Sequence, residues 1–310
     1  MKVFGPIPSR RLGRSLGINN IPPKVCSYSC IYCQIGKTNS MSAYRQVFFS
    51  PEEIFTEVSE KINQLKINGD VIDYLTFVPD GEPTLDLNLG KTLNLLKPLG
   101  IKIAVITNSS LLWREDVRED LMNADWVSVK IDTTDEKIWR KIERPHGSLD
   151  IKQIIKGIKT FADSYKGTLV TETMLVKDIN DNEESLKSTA DVISRINPVK
   201  SYILIPTRPP AEIRVEKPTE EKLNIAYQIY SSILPQVELI IGNEGTNFSF
   251  SNNAEKELLA ILAVHPMNKE AVEEFLVKSK SDWDLIDRLI KKKYLKEVTY
   301  SDDTFLLKTL

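Results

Sequence analysis

The sequence predicts an α/β protein, a parallel sheet or barrel wrapped by helices, followed by a small C-terminal segment of different character. Three observations carry this. Short runs rich in Val, Ile and Thr alternate with amphipathic runs over most of the chain, the pattern of helices crossing between parallel strands. One amphipathic run opens on Ser50-Pro51-Glu52-Glu53, which supplies a cap, a proline at the first helical position and carboxylates in the first turn. Beyond Gly242-Asn243-Glu244-Gly245 the alternation stops.

In order, helices are expected over Pro51–Lys66, Leu87–Leu99, Arg114–Asn123, Ile151–Tyr165, Glu183–Ile196 and Thr219–Leu234. Strands are expected over Ile72–Val78, Ile101–Thr107, Trp126–Ile131, Thr168–Val176, Ser201–Ile205 and Val237–Ile241, each bounded by polar, Pro or Gly signals. The tail reads as helices over Asn253–Val264, Lys269–Lys278 and Ser281–Lys292. A hairpin of Tyr294–Tyr300 and Thr304–Lys308 follows, turning near Ser301-Asp302-Asp303. Three short helices and a two-stranded wing resemble a winged helix-turn-helix, which divides the chain into domains at 1–245 and 250–310.

Composition limits the function classes. The chain has 310 residues, 41% hydrophobic and 27% charged, with a formal net charge of −2; this balance is that of an ordinary globular protein and does not announce a nucleic-acid binder. No apolar run approaches the roughly 18 residues that span a bilayer, and Met1–Pro6 carries no apolar signal core. The expectation is a cytoplasmic protein without a membrane partner. The cysteines agree, since there are only three, packed in one short stretch, where a disulfide framework uses even, dispersed ones.

Those cysteines read Cys26-Ser-Tyr-Ser-Cys30-Ile-Tyr-Cys33. Three thiolates so spaced can ligate three irons of a 4Fe–4S cube, leaving the fourth iron open to an organic ligand. Zinc is the rival occupant, but it wants a fourth ligand, and the two histidines, His146 and His265, stand far away in sequence. Inert buried cysteines are the third reading.

The spacing, with aromatic Tyr32 before the last cysteine, resembles the radical S-adenosylmethionine (SAM) superfamily. The resemblance implies a TIM-like partial (β/α)6 barrel over residues 1–245, with Cys26, Cys30 and Cys33 holding a 4Fe–4S cluster whose open iron chelates SAM. It also implies reductive cleavage of SAM to a 5′-deoxyadenosyl radical that abstracts hydrogen from a substrate. Flavodoxin or ferredoxin is the expected electron donor. Asp80-Gly81-Glu82-Pro83, directly after a strand, resembles the family's Gly-Gly-Glu-Pro segment that binds SAM's amino group, with Asp80 in place of the first glycine. Gly81 permits close backbone approach. Thr107-Asn108-Ser109 resembles the family's Thr-Asn-Gly segment. Ile205 and Pro206 resemble its apolar adenine wall.

Further polar candidates follow from strand geometry. Ser128, Lys130 and Asp132 alternate along one strand and share a face, so inside a barrel they need partners. SAM's ribose and carboxylate would serve; a structural Lys130–Asp132 pair is the alternative. Glu172 shares a face with Met174 and could reach ribose or substrate. Arg10, Arg11, Arg14 and Arg208 are candidate contacts to an anionic substrate, or surface charges.

The order Gly5-Pro6-Ile-Pro-Ser-Arg-Arg11, cysteine loop, Asp80–Pro83 looks most like radical SAM oxidoreductases related to wybutosine-synthesising tRNA enzymes. Those hold a second cluster on further cysteines. None is left here, so that activity is not expected. Three function classes stay open. One is an enzyme acting on tRNA or a protein, slightly favoured, with the tail as docking module. The others are an enzyme acting on a small anionic metabolite and an iron–sulfur sensor with a DNA-binding tail. Lys278, Lys280, Arg288 and Lys291–Lys293 cluster around the third tail helix, but Asp282, Asp284 and Asp287 lie on it too.

Overall fold

The computed structural model describes residues 2–241, 253–301 and 303–309. The expected boundary at Gly242–Gly245 and the turn residue Asp302 lie outside them. The chain begins with a feature the sequence reading lacked, an antiparallel hairpin of β1 (Val3–Ser9) and β2 (Gly13–Ile18). Two short strands, β3 (Val25–Cys26) and β4 (Ser40–Met41), then bracket the cysteine loop. The alternating body follows as α1 (Pro51–Ile67), β5 (Tyr74–Phe77), α2 (Leu89–Leu96), β6 (Lys102–Thr107), α3 (Glu115–Leu121) and β7 (Trp126–Lys130). It continues as α4 (Glu136–Ile142), α5 (Ile151–Ser164), β8 (Thr168–Met174), α6 (Glu183–Ile196), β9 (Lys200–Leu204), α7 (Glu220–Ile233) and β10 (Val237–Ile240).

The main sheet has the order β1-β2-β5-β6-β7-β8-β9-β10, parallel throughout except for β1 at its edge. The first and last strands are not paired to each other, so the barrel is open, as expected, with one more parallel strand than the six read from the sequence. The missed strand is β2. Its residues Gly-Arg-Ser-Leu-Gly-Ile carry two glycines and an arginine, a poor strand signal. Gly17 is required there: a Cβ would sit 2.1 Å from the Phe4 ring, which packs on it.

Helix starts follow the expected chemistry. Ser50 and Glu53 form a reciprocal capping box on α1, while Asp150, Asn182 and Thr219 cap α5, α6 and α7. Leu87–Leu99 is not one helix: Pro83–Leu85 and Lys97–Leu99 are single turns of tighter helix flanking α2. Helix–sheet packing supplies the main core, from Leu75, Phe77, Ile103, Val105, Val127 and Val129 against Ile54, Val58, Leu93, Ile158, Ile193 and Tyr230. Inside the sheet's curve, Leu12, Ala104, Trp126, Val170, Tyr202 and Ile240 form a second apolar cluster. It fills one end of the barrel and leaves a cavity toward the strands' C-terminal ends.

The tail comprises α8 (Ala254–Val264), β11 (Met267–Asn268), α9 (Lys269–Lys278), α10 (Trp283–Lys291), β12 (Leu295–Tyr300) and β13 (Asp303–Lys308), with antiparallel order β11-β13-β12. Its core includes Phe4 and Ile7 of β1 beside Leu258, Ile261, Leu262, Phe275 and Leu289. Lys61 of α1 and Glu257 of α8 make a buried ion pair at 2.6 Å. Among the described residues no helix is long and apolar enough to cross a membrane.

Candidate active site

A half-enclosed cavity of about 350 Å³ opens at the C-terminal ends of the parallel strands. Its wall brings together Cys26, Cys30, Tyr32 and Cys33 with Gly81, Glu82, Asn108, Lys130, Glu172, Ile205 and Pro206, residues spread over 180 positions of sequence.

The cysteine loop is fixed by backbone contacts from both sides. Glu82 N donates to Val25 O at 3.1 Å, Ser29 N and Ile31 N donate to the carbonyls of Glu143 and Ile142, and His146 N donates to Ser27 O. Gly81 bridges to Val25, and a Cβ there would meet Val25 O at 2.0 Å. The close approach that Gly81 permits is thus made by the cysteine loop itself.

Glu82 is fully buried and clamps two strand ends. Its Oε1 accepts from Thr84 N, Thr84 Oγ1 and Thr107 Oγ1 at 2.6–3.0 Å, and its Oε2 accepts from Asn108 N at 2.7 Å. Burial pushes its carboxyl above the usual range, and these donors oppose that. Asn108 Nδ2 donates to Ser27 Oγ at 2.9 Å and toward Cys26 Sγ at 3.5 Å, which ties β6 to the cysteine loop.

The cysteines are half-buried on the cavity wall. Burial, with Glu82 adding to it, pushes the Cys26 thiol up to about 12, and burial raises Cys30 and Cys33 as well. Thiols so placed ionise in favour of a bound cation rather than water. Among the described residues no three His, Cys, Asp or Glu side chains converge on a point fit for a single metal ion. Three thiolates on three different irons of a cube need no such convergence. The donor set therefore fits an iron–sulfur cluster.

Several candidates sit differently from expectation. Ser128 finds its partner within the protein, donating to Glu172 Oε1 at 2.6 Å, and does not line the cavity. Asp132 lies just past β7, where it accepts from Tyr32 OH at 2.5 Å and Met174 N at 2.8 Å, also outside the wall. Asp80 turns its carboxylate away from the cavity toward Lys24; burial raises it, and Lys24 opposes. The arginines separate because Arg10 and Arg11 occupy the turn of the hairpin while Arg14 lies on β2. Arg11 enters the cavity and pairs with Glu172, Arg14 lies outside on Asp73 at 3.3 Å, and Arg10 is exposed at the turn.

Around Glu172, burial would raise the carboxyl, but Arg11, Lys130 and Ser128 hold it below its usual value. For Lys130, burial lowers the ammonium and Asp132 and Glu172 outweigh it. The Lys130 Nζ lies over the Tyr32 ring, 5.1 Å from its centre. Also on the wall, Arg208 donates to Gln34 Oε1 at 2.8 Å and to His265 Nε2 at 3.1 Å. A guanidinium only donates, so Nε2 is the acceptor. Val264 and His265 of the tail line the cavity with Gln34, whose Nε2 donates to Val264 O. The sequence reading missed all three, since no local motif marks them.

The model of the radical SAM superfamily matches residues 20–190. The chain belongs to the radical SAM superfamily. A protein of Methanocaldococcus jannaschii, UPF0026 protein MJ1312, is 47% identical over 309 residues, covering 99% of this chain and 96% of that one. Among solved structures, a radical SAM methyltransferase from Sphaerobacter thermophilus aligns with TM-score 0.56 at 13% identity, covering 73% of this chain and 66% of that one. SuiB of Streptococcus suis, bound to S-adenosylmethionine, aligns at TM-score 0.53 and 15% identity, covering 72% and 49%. At such identities the likeness is one of fold. Radical SAM enzymes use a 4Fe–4S cluster and SAM, and this is an enzyme of that class.

Proposed function

We propose that this radical SAM enzyme acts on a small anionic substrate enclosed between the barrel and the tail. The observation that carries the reading is that two guanidiniums, Arg11 and Arg208, face the cavity that the cysteines line, while the tail's Val264 and His265 cover part of its wall. A nucleic-acid substrate is less well served. The exposed side of α10 carries Asp284 and Asp287 among Arg288 and Lys291, and paired acids repel a phosphate backbone. The tail, read as a winged helix, then acts as a lid and not as a docking arm. Electrons come from a flavodoxin- or ferredoxin-like donor.

Cys26, Cys30 and Cys33 would hold three irons of the cluster. The pair of cofactors, when bound, supplies reductive cleavage of SAM and a 5′-deoxyadenosyl radical. The chain's own residues do the placing. Gly81 and Glu82 would receive the methionine amine, and the clamp on Glu82 keeps its carboxylate from swinging. Tyr32, Ile205 and Pro206 offer apolar surface for adenine. Asn108, Lys130 and Glu172 offer polar contacts for the ribose and carboxylate, with Ser128 and Asp132 holding Glu172 and Tyr32 in place. Arg11 and Arg208 would orient the substrate's charge.

The test is to fractionate cell extract by ultrafiltration and add each fraction to the anaerobic, cluster-loaded enzyme with SAM and reductant. Formation of 5′-deoxyadenosine should rise with the small-molecule fraction, and Arg208→Ala should blunt that rise. Stimulation confined to the RNA or protein fraction would contradict the reading.

A further inference from the structure

Beneath the cysteine loop lies a buried ion pair that the site as described does not use. Lys24 Nζ and Asp80 Oδ1 stand 3.6 Å apart with side chains each 4% exposed. Among the described residues the Lys24 Nζ and both Asp80 carboxylate oxygens have no hydrogen-bond partner. An ion pair without supporting hydrogen bonds gains too little to offset its desolvation, and apolar replacement is often neutral or stabilising. Stability alone therefore gives no reason for these two charges.

Their position gives one. The Lys24 backbone joins both sides of the loop: its N–H donates to Asp80 O at 2.7 Å, and its carbonyl accepts from Asn39 N and Ser40 N at 3.2 and 3.0 Å. It is held in the left-handed region at φ 63°, which a lysine adopts only when its surroundings dictate it. The Lys24 Nζ lies 3.5 Å from where a Cβ on Gly36 would stand, and Gly36 N donates to Cys33 O at 3.1 Å. The ammonium is thus directly under the Cys33–Gly36 turn. Asp80, which anchors it, occupies the place where the family pattern has glycine.

We propose that Lys24 and Asp80 set the reduction potential of the cluster, Lys24 by attracting the added electron and Asp80 by orienting Lys24 and offsetting part of its charge. Reduction adds one electron and no proton, so a nearby cation favours the reduced form and a nearby anion the oxidised form. Charge and burial around a cluster are among the levers on its potential. The inference rests on the cluster at Cys26, Cys30 and Cys33.

The experiment is a mediated dithionite titration of the reconstituted full-length protein without SAM, followed by the electron paramagnetic resonance of the reduced cluster. Lys24→Met should move the midpoint to more negative potential, lowering the reduced-to-oxidised ratio at a fixed potential on the order of tenfold, about 59 mV for a one-electron couple. Asp80→Asn should move it the opposite way, and Lys24→Arg should stay near the wild type. Opposite signs distinguish charge from damage, since a loosened loop shifts both variants alike. If Lys24→Met loads too little iron, the positive shift of Asp80→Asn decides. Unmoved potentials, or shifts of one sign in both variants, overturn the inference. A wild-type chain that takes up no iron overturns it together with the cluster assignment.

Discussion

The two ends of the cavity are built on different principles. At the cysteine end, short backbone bonds and the four donors on Glu82 lock the loop to the ends of β5 and β6. At the mouth, the barrel meets the tail through a shared apolar cluster and a few polar contacts: Gln34 to Val264, Arg208 to His265, and Tyr300 OH to Pro206 O at 3.3 Å. The first arrangement fixes the cysteine loop against two strand ends. The second is a seam between the barrel and the tail. On the proposed reading, cofactor chemistry falls to the first region and substrate choice to the second.

The largest effect expected is from the cysteine end. Glu82→Ala leaves the Asn108 N–H and the hydroxyls of Thr84 and Thr107 without their acceptor. Chemical denaturation should show a loss of about 3 kcal/mol or more, and SAM binding measured by calorimetry should be abolished. Next is the seam itself. Lys61→Met removes the Lys61 ammonium from the buried Glu257, and should cost up to about 3–5 kcal/mol in the same assay, whereas the double variant with Glu257→Leu should recover most of that.

Arg208→Ala should act on substrate alone. Half-saturation by the stimulating fraction should rise roughly tenfold or more, the loss of one charge-assisted contact, while SAM binding and the melting temperature stay near the wild type. If SAM binding falls instead, the separation of the two ends fails.

A further effect is one of pH. Burial, partly opposed by donors from Asn88 and Asn20, pushes the Asp86 carboxyl up to about 6. The folded chain then keeps this proton where the unfolded chain, with a carboxyl near 4, has released it. The contribution is favourable in acid and is lost as pH rises from about 4 to about 6, amounting to no more than about 3 kcal/mol. Asp86→Asn should flatten that stretch of the stability curve.

The cysteine end was the more legible in sequence, for a physical reason. Its three cysteines sit within eight residues of chain, and Asp80–Pro83 and Thr107–Asn108 each end a strand whose β-branched run announces it. The mouth was not legible. Val264 and His265 reach the cavity only because Phe4 and Ile7 join the tail's core, and pairing of that kind leaves no local pattern. The N-terminal hairpin was hidden by its glycines and prolines, so three neighbouring arginines looked equivalent, although the hairpin's turn brings Arg11 onto Glu172 and its second strand sets Arg14 on Asp73. Ser128 and Asp132, expected to need partners, have them within the protein: Glu172 for Ser128, and Tyr32 with Lys130 at 3.7 Å for Asp132.

The most direct test of the account is anaerobic. The protein is reconstituted with iron and sulfide, supplied with SAM and dithionite, and assayed by chromatography for 5′-deoxyadenosine and methionine, beside a Cys30→Ala variant. The account predicts both products from the wild type and neither from the variant. A wild type with a full, reducible cluster that does not bind SAM, or equal product from Cys30→Ala, would contradict it.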